Sequence, residues 1–479
     1  MSKLDQSQIP LLSAMKDYAS KDVATFDVPG HKRGRGIPVL NEYFGAQVMQ
    51  FDTNSLPLLD NVGNPTGVIS KAQELLADAY GADKAFFMAN GSTSAIHAML
   101  LSVLAPGDKI LIPKNIHKSA LNGLILSGAI PIYMQPEICP KQGLAKNVTV
   151  SEVMRQLDAS PDAKAVFVLN PTYFGHTSDL LAISNLCHER NVLLLVDEAH
   201  GAHFPFHEQM PPSAMQCGAD ASCISMHKTG GALTQASALI INEARLDGRL
   251  IKRAINILQS TSVSYLLMGS LDGARYNLVQ NGRKLLGKAI ELANEVQQAL
   301  SDVPGVSVVT QKRFYDPTKV IINVSGLTLT GFEVYELLWR KYGVQLELCE
   351  TNHVLAIISL GDTPEMIAKL IDAITDIANK HLGELTDSLA IDGPFVQSSQ
   401  QVMSPRDAHF AQKELVLITD AIGRVSAESI MAYPPGIPII SPGESFSEEI
   451  VNNLQLLLKQ GAFLVDNSDP ELKRVLVVK

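Results

Sequence analysis

The chain has 479 residues, 46% of them hydrophobic and 18% charged, with five cysteines and a formal net charge of −10. This length predicts about three domains with an ample core, and the acidic balance without a dense basic stripe argues against a nucleic-acid-binding surface. The odd number of cysteines and the lack of a CxxC spacing argue against a disulfide framework and a zinc ribbon.

The N-terminal stretch MSKLDQSQIPLL contains no apolar signal core, and no apolar run reaches the length of about 18 residues that a membrane span needs. We therefore expect a cytoplasmic protein without a membrane segment. Apolar spacing predicts an amphipathic helix within residues 1–20. The following loop, FDVPGHKRGRGIP at 26–38, has three glycines and four basic residues, which either bind an anion or serve as turn residues.

A second long loop is predicted over residues 52–68, followed by a helix from Ser70 to Tyr80 with Ser70 as its N-cap. Apolar strands and helical patterns then alternate. The predicted strands are 85–89, 109–112, 130–134, 165–169, 192–196 and 237–241. The predicted helices are about 93–104, 118–127, 151–158 and 178–189. This alternation predicts an α/β fold with a doubly wound, mostly parallel sheet, in which ligands bind beyond the carboxyl ends of the strands.

Two of these predicted strand ends carry polar residues. The first strand leads into a helix through Ser92 and Thr93, and such a helix start offers free N–H groups to an anion. Ordinary N-capping explains the same two hydroxyls. The second strand leads to His117, whose imidazole can stack on a flat ring at this edge, although a lone histidine is more often a surface residue.

The stretch over 191–231 carries the most specific chemical pattern. The apolar run 192–196 predicts a buried parallel strand that ends on Asp197, and Lys228 follows among small polar residues. An acid at a strand end and such a lysine are what pyridoxal phosphate (PLP) requires. The lysine forms the Schiff base, and the acid keeps the pyridine nitrogen protonated so that the ring can accept electrons.

Two other functions share parts of this stretch. The letters VDEAH also occur in DEAH-type helicases, but these need an upstream phosphate loop, and the nearest match, GRKLLGKA at 282–289, lies downstream in a helical pattern and ends in alanine. Three histidines, at 200, 203 and 207, suggest a metal site. Because Pro205 interrupts the helix that would align them, we expect no metal.

The rest of the chain is predicted to be a long helix from about 265 to 301 and a compact α/β domain of its own over 316–382, with the order β-α-β-β-α. The segments 404–410 (SPRDAHF) and 432–444 (AYPPGIPIISPGE) are predicted loops.

Taken together, the motifs resemble those of the fold-type-I PLP-dependent ornithine/lysine/arginine decarboxylases, in particular the short bacterial arginine decarboxylase-like members. The resemblance covers nearly the whole chain and depends on the order and spacing of PGHK (29–32), GSTS (91–94), HKS (117–119), NPTYFG (170–175), DEAHG (197–201), SMHK (225–228), STS (260–262) and PPGIPIISPGE (434–444). It implies an aspartate aminotransferase-like fold. The implied domains are an N-terminal helix and active-site loop segment (1–60), a large PLP-binding domain (61–305), a small α/β domain (306–388) and a C-terminal decarboxylase domain (389–479).

The resemblance also implies the roles of individual residues. Lys228 would hold the cofactor, Asp197 would pair with the pyridine nitrogen, and His117 would stack on the ring. The implied phosphate contacts are Ser92, Thr93, Ser225 and His227. His200 is a further catalytic candidate, at a position where large family members carry an aromatic residue.

The implied reaction is decarboxylation of a basic L-amino acid in polyamine biosynthesis, with arginine, giving agmatine, favoured over lysine and ornithine. Glu347 and Glu350 are candidates for binding the distal cation, although each alone could equally be a solvated surface acid. Thr261 and Ser262 lie in a segment that resembles one reaching the phosphate of a neighbouring subunit, which implies at least a homodimer. A PLP-dependent aminotransferase or aldolase, and a non-catalytic regulatory relative, are the alternatives.

Overall fold

The computed structural model describes residues 3–139, 143–309, 311, 313–383, 399–432, 436–460 and 462–479. The chain divides into two compact units, each built from two segments. Unit 1 consists of Met1–Ser102 and Leu193–Leu285, and unit 2 consists of Val103–Val192 and Leu286–Lys479. The predicted domain boundaries stay predictions, and the one at 388–389 lies outside the described residues.

Helices occupy much of both units. In chain order, the described α-helices are α1 (Pro10–Ala19), α2 (Pro38–Phe44), α3 (Ala46–Phe51), α4 (Val68–Tyr80), α5 (Gly91–Val103), α6 (Lys118–Ser127), α7 (Val150–Ala159), α8 (Leu180–Glu189), α9 (Met226–Thr229), α10 (Gly248–Leu258), α11 (Tyr265–Leu300), α12 (Gly331–Leu337), α13 (Pro364–Lys380), α14 (Pro405–Phe410) and α15 (Glu448–Lys459). Among the residues that the structure describes, no helix is both long and apolar enough to cross a membrane.

Strands lie between these helices. In chain order they are β1 (Lys84–Met88), β2 (Lys109–Pro113), β3 (Ile130–Met134), β4 (Ala165–Leu169), β5 (Leu193–Asp197), β6 (Ala221–Ile224), β7 (Ser237–Ile241), β8 (Ser307–Val308), β9 (Lys319–Asn323), β10 (Leu348–Glu350), β11 (His353–Ile357), β12 (Lys413–Leu417), β13 (Ile430–Ala432), β14 (Ile437–Ile440), β15 (Leu464–Val465) and β16 (Arg474–Val478).

The main sheet is mostly parallel. Its strand order is β1-β7-β6-β5-β4-β2-β3. In unit 1, β5 and β6 are parallel, and β7 runs antiparallel to both β6 and β1. In unit 2, β2 is parallel to β3 and to β4. The α/β fold with a mostly parallel sheet, predicted from the alternating pattern, is therefore confirmed.

Smaller antiparallel sheets occur in unit 2. They have the orders β10-β11-β9-β8, β12-β16 and β14-β13-β15. The four-stranded sheet shares an apolar core with α13 and the end of α11, which includes Val296, Leu300, Ile322, Val354 and Ile374. This arrangement contains the β-α-β-β-α pattern that was predicted for residues 316–382.

Four local predictions were wrong. Helix α4 begins at Val68 rather than Ser70, and the carboxylate of Asp60 caps it by accepting the N–H groups of Gly67 (2.7 Å) and Ile69 (3.1 Å). The segment predicted as the loop SPRDAHF contains α14. Its cap is Ser404, whose Oγ accepts the backbone N–H of Asp407 at 3.0 Å.

The other two errors concern strands. The proline-rich segment contains β14 rather than only a loop, because Ile437–Ile440 pairs with β13. Residues 434 and 435 of that motif lie outside the described residues. Strand β6 was missed because its four residues, ASCI, give too short an apolar run to stand out from the neighbouring loops.

Candidate active site

The acid that ends β5 lies at the centre of the candidate site in unit 1. Asp197 is 2% exposed, and its neighbour in the register of β6 is Cys223. Its Oδ1 accepts the backbone N–H of Ala199 at 3.0 Å. The residues of the strand before Asp197 are apolar, so Asp197 places a buried carboxylate at the carboxyl end of a parallel strand.

The charge of this carboxylate is only partly compensated. Burial raises the pKa of Asp197, while the positive charge of Lys228 and the N–H group of Ala199 oppose that rise. Isolating a carboxylate from water is costly unless a cation or hydrogen-bond donors replace the lost hydration. The site is therefore suited to a further cationic group beside Asp197.

A lysine and a histidine complete this cluster. Lys228 belongs to α9, a single helical turn that follows the end of β6. Its Nζ lies 2.9 Å from Nε2 of His200, which is 2% exposed and belongs to the turn after Asp197. The backbone N–H of Gly201 closes that turn by donating to the carbonyl of Glu198 at 2.8 Å. At such a distance, a proton can pass between the amine and the imidazole.

Hydroxyl groups and a helix start lie in the same unit. Ser225 is fully buried, and among the described residues its Oγ has no hydrogen-bond partner. A buried hydroxyl without a partner is costly, so Ser225 indicates a ligand that supplies one. Ser92 and Thr93 lie in the first turn of α5, and the thiol of Cys223 in β6 contacts the carbonyl of Ser92 at 3.6 Å. His227 places its Nδ1 3.1 Å from the carbonyl of Ala236.

These groups fit PLP. The amine of Lys228 is the nucleophile that the cofactor aldehyde requires, and Asp197 is a buried partner for a pyridinium nitrogen. The unpartnered hydroxyl of Ser225 and the N–H groups at the start of α5 suit a phosphate. The structure thus brings Asp197, His200 and Lys228 together.

The remaining candidate of unit 1 is the segment that was expected to reach a second subunit. Thr261 and Ser262 lie between α10 and α11 and are exposed. The backbone N–H of Ser262 donates to Oγ of Ser260 at 3.1 Å. Their hydroxyls are thus at the surface of the chain, where a second copy could use them.

Three predicted site residues belong to unit 2. His117 is the N-cap of α6, and its Nδ1 accepts the N–H of Ser119 at 3.2 Å. The centre of its ring lies 6.4 Å from that of Tyr173 in the NPTYFG motif. Glu350 ends β10 as a half-buried residue, and burial raises its pKa to about 7, whereas Glu347 is exposed.

The basic loop at 26–38 is held together by its own contacts. Nε2 of His31 lies 3.0 Å from Oδ2 of Asp52, while its Nδ1 accepts the N–H of Gly34 at 3.0 Å. The guanidinium of Arg33 donates to the carbonyl of Lys21 at 2.9 Å. These contacts favour the interpretation as turn residues over an anion site.

The histidines after His200 do not gather into a metal site. His203 is buried, with its ring centre 4.9 Å from that of Phe204, and Nδ1 of His207 accepts the N–H of Gln209 at 3.1 Å. Over the residues that the structure describes, no group of three or more His, Cys, Asp or Glu side chains is placed to hold a metal ion.

Sequence reasoning missed a second buried acid in the same motif. Glu198 is fully buried and accepts the N–H of Ala214 at 2.7 Å and the hydroxyl of Ser222 at 3.2 Å. Burial raises its pKa to about 8, against those two hydrogen bonds. Glu198 directly follows Asp197 in DEAHG, but the sequence gives no sign of which acid faces a ligand.

Comparisons with known proteins match one family over most of the chain. The family model described as Orn/Lys/Arg decarboxylase, major domain, matches residues 9–313, and the C-terminal domain model of that family matches residues 390–463. The arginine decarboxylase of Halalkalibacterium halodurans is 39% identical, with 99% of this chain and 98% of that protein covered. The arginine decarboxylase of Bacillus subtilis is 38% identical, with 99% of each covered.

A solved structure supports the fold. Lysine decarboxylase A from Pseudomonas aeruginosa superposes with a TM-score of 0.85 and 22% sequence identity, covering 98% of this chain and 80% of that chain. This likeness confirms the predicted fold class.

Proposed function

The chain belongs to the Orn/Lys/Arg decarboxylase family, and from this membership we propose that it catalyses the PLP-dependent decarboxylation of a basic L-amino acid. Arginine is the preferred substrate and agmatine the product, as in the relatives named arginine decarboxylase at 38–39% identity. A role in polyamine biosynthesis and a cytoplasmic location, both implied by the resemblance, belong to the same proposal.

The observation that carries this proposal is the cluster in unit 1. Nζ of Lys228 lies 2.9 Å from His200, and the charge of Lys228 acts on the buried carboxylate of Asp197. The presence of both Lys228 and Asp197 counts against a non-catalytic regulatory relative, since a lysine and an acid in this arrangement are the groups that PLP chemistry uses. Family membership favours decarboxylation over the aminotransferase or aldolase alternative, which the lysine and the acid alone do not exclude.

Each residue of the cluster has its own role in the proposed reaction. PLP, when bound, supplies an electron sink for the electron pair left on Cα as carbon dioxide departs. Asp197 would stay ionised when it holds a cationic ring nitrogen, since that cation would offset the cost of its burial. Ser225 would offer its buried hydroxyl to a phosphate oxygen. Lys228 and His200 exchange a proton over 2.9 Å, so that one of them can protonate Cα.

Glu350 and Glu347 are our candidates for substrate selection. Glu350 is half-buried with its pKa raised to about 7, so a neighbouring cation would favour its ionised form. A guanidinium binds a carboxylate through two parallel hydrogen bonds, whereas an ammonium acts as a point charge. Glu350 is for this reason our first candidate for the distal cation, and the exposed Glu347 is the second.

Assembly into at least a homodimer with shared sites is part of the proposal. It is supported by the exposure of Thr261 and Ser262 and by their family-like motif. We expect a mixture of inactive Lys228→Ala chains and inactive Ser262→Ala chains to regain activity, because a mixed dimer contains one intact site. A fully active monomer in sedimentation would contradict shared sites.

The proposed reaction is tested by incubating the purified protein and PLP with arginine, lysine, ornithine and leucine in parallel. Carbon dioxide and keto acid are both quantified. We expect carbon dioxide with the basic amino acids, most rapidly with arginine, and no keto acid. Equal rates with leucine would contradict a cation-selecting site, and keto acid without carbon dioxide would contradict decarboxylation itself.

A further inference from the structure

A buried ion pair in unit 2 has no part in the chemistry described so far. Nζ of Lys114 contacts the carboxylate of Glu444, and the two side chains are 4% and 0% exposed. Lys114 directly follows β2, and Glu444 ends the proline-rich motif after β14. Lys114 also donates to Oγ of Ser399 at 3.2 Å and lies 4.6 Å from the centre of the Tyr133 ring.

Both partners are held in a defined geometry. The second carboxylate oxygen of Glu444 accepts the backbone N–H of Ser441 at 2.7 Å. Burial lowers the pKa of Lys114, while the charge of Glu444 opposes this effect. A buried ion pair often stabilises a fold no more than well-packed apolar residues would, but separation of its partners leaves a buried charge uncompensated, so the pair restricts the chain to one arrangement.

A short segment of residues 114–117, the link, connects this ion pair to His117, a candidate site residue. The backbone N–H of Lys114 donates to the carbonyl of Met134 at 3.0 Å. Asn115 is 3% exposed and donates from Nδ2 to the carbonyl of Lys146 at 3.3 Å, and Ile116 is 1% exposed. The next residue is His117, which caps α6. With each residue before it buried, the link has little freedom to move.

The C-terminal segment of unit 2, residues 399–432, 436–460 and 462–479, also contacts α6 itself. At the start of α6, Nζ of Lys118 lies 3.2 Å from Oδ1 of Asp466. At its end, the guanidinium of Arg406 donates to the carbonyl of Leu126 at 2.7 Å. The C-terminal segment thus holds the chain just before His117, just after it and at the far end of the helix.

We propose that Glu444 is a positioning residue, which acts through Lys114 to fix the 114–117 link and thereby His117, the residue that the family resemblance assigns to the cofactor ring. The role of His117 rests on the proposed function, whereas the fixing of the link does not. The proposal assigns the proline-rich C-terminal motif a role in positioning a candidate site residue. Glu444 acts on Lys114 across 330 residues of sequence.

The test compares three variants of the purified full-length holoenzyme. Glu444→Gln strands the charge of Lys114. The double variant Lys114→Met with Glu444→Gln strands no charge, so it is expected to fold, but it cannot restore the contact. The control is Glu428→Gln, another buried glutamate of the C-terminal segment, which accepts the N–H groups of Leu476 and Ser468, each at 2.7 Å.

Three quantities are measured for each variant, namely thermal stability, hydrogen exchange of the peptide 114–127 and the rate of PLP release. We expect Glu444→Gln to accelerate exchange in the link by about tenfold, since the local opening is no longer restrained. We also expect PLP release to become about tenfold faster, since a small misplacement of a positioned group is costly. Glu428→Gln should change neither quantity more than about twofold.

The double variant separates positioning from plain stabilisation. We expect it to recover the thermal stability of the wild type while its exchange and PLP release stay fast. Recovery of all three quantities would show that the pair only stabilises the fold, and unchanged exchange in every variant would equally overturn the proposal. If the wild type binds no PLP, the proposed function fails, while the exchange comparison still decides whether Glu444 fixes the link.

Discussion

Each of the two units contains a buried carboxylate that interacts with a lysine, and the two clusters differ in how completely their charges are satisfied. In unit 2, Glu444 contacts Lys114 directly, and its second oxygen accepts the N–H of Ser441. In unit 1, Nζ of Lys228 bonds His200, burial raises the pKa of Asp197, and nearby Ser225 has a hydroxyl without a partner among the described residues.

This difference indicates which cluster has a structural role and which has a functional one. A buried charge that is paired directly with an opposite charge restricts the chain to one conformation, whereas a buried carboxylate whose cost of burial is only partly offset is typical of a site that a ligand completes. On this criterion, the cluster of Asp197, His200 and Lys228 is the proposed place of chemistry, and the pair of Lys114 and Glu444 is proposed to support it only indirectly.

Removal of the amine from the incomplete cluster has the largest expected effect. Lys228→Ala should lower kcat at least about 1000-fold, because no other group can take the place of the nucleophile. The matched control is Lys252→Ala. Lys252 is another lysine of unit 1, and it donates to the carbonyl of Val62; burial lowers its pKa. Its variant should keep kcat within about threefold, and equal losses in both variants would contradict the assignment.

The two consecutive acids of DEAHG provide a sharper contrast. Asp197→Asn should lower kcat about 100-fold, since a neutral amide cannot hold a ring nitrogen in its protonated form. Glu198→Gln should change kcat less than about threefold, because glutamine can keep the hydrogen bonds to Ala214 and Ser222. Steady-state kinetics with arginine checks both values. If the larger loss follows the change at Glu198, the acid that acts on the cofactor has been misidentified.

The acids of unit 2 are expected to affect binding more than chemistry. Glu350→Gln should raise KM for arginine about tenfold with little change in kcat, since it removes one charge-assisted contact with the substrate. The exposed Glu347 offers the comparison, and Glu347→Gln should have the smaller effect. The absorbance of bound PLP should stay unchanged in both variants. A fall in kcat without a change in KM would argue against a role in substrate binding.

Glu198, whose carboxylate has hydrogen-bond partners, should affect only the pH dependence of the free energy of unfolding. Burial raises the pKa of Glu198 from an ordinary value of 4.5 to about 8, so its protonated form is favoured in the folded protein. The resulting stabilisation is fully present below about pH 4.5 and is lost as the pH rises toward 8. Between these values, the free energy of unfolding should fall by up to about 1.4 kcal/mol per pH unit relative to Glu198→Gln. Denaturant unfolding of both proteins at several pH values measures this slope, and identical slopes would contradict the shift.

Much of the fold was predictable because it depends on local patterns. The apolar runs that became β2, β3 and β4 and the periodic pattern of α11 are visible within short windows of sequence. Short elements such as α14 were not visible, since six residues give too little periodicity. Strand β6 was lost for the same reason.

The candidate site was predictable to a similar degree. Asp197 and Lys228 could be identified because a strand end and a cluster of small polar residues are local features. The contact between Lys114 and Glu444 could not, because it joins residues 330 positions apart. The contrast between Asp197 and Glu198 also needed the structure, since only their hydrogen-bond partners distinguish two neighbouring acids.

The most direct test of the proposed site is the identity of the lysine that holds the cofactor. The protein is incubated with PLP and reduced with borohydride, and the position of the pyridoxyl label is determined by peptide mass spectrometry. The label should lie on Lys228 and should be absent from Lys228→Ala. A label on another lysine, such as Lys114 or Lys252, or an unlabelled wild-type protein, would contradict the assignment of the cluster in unit 1 as the active site.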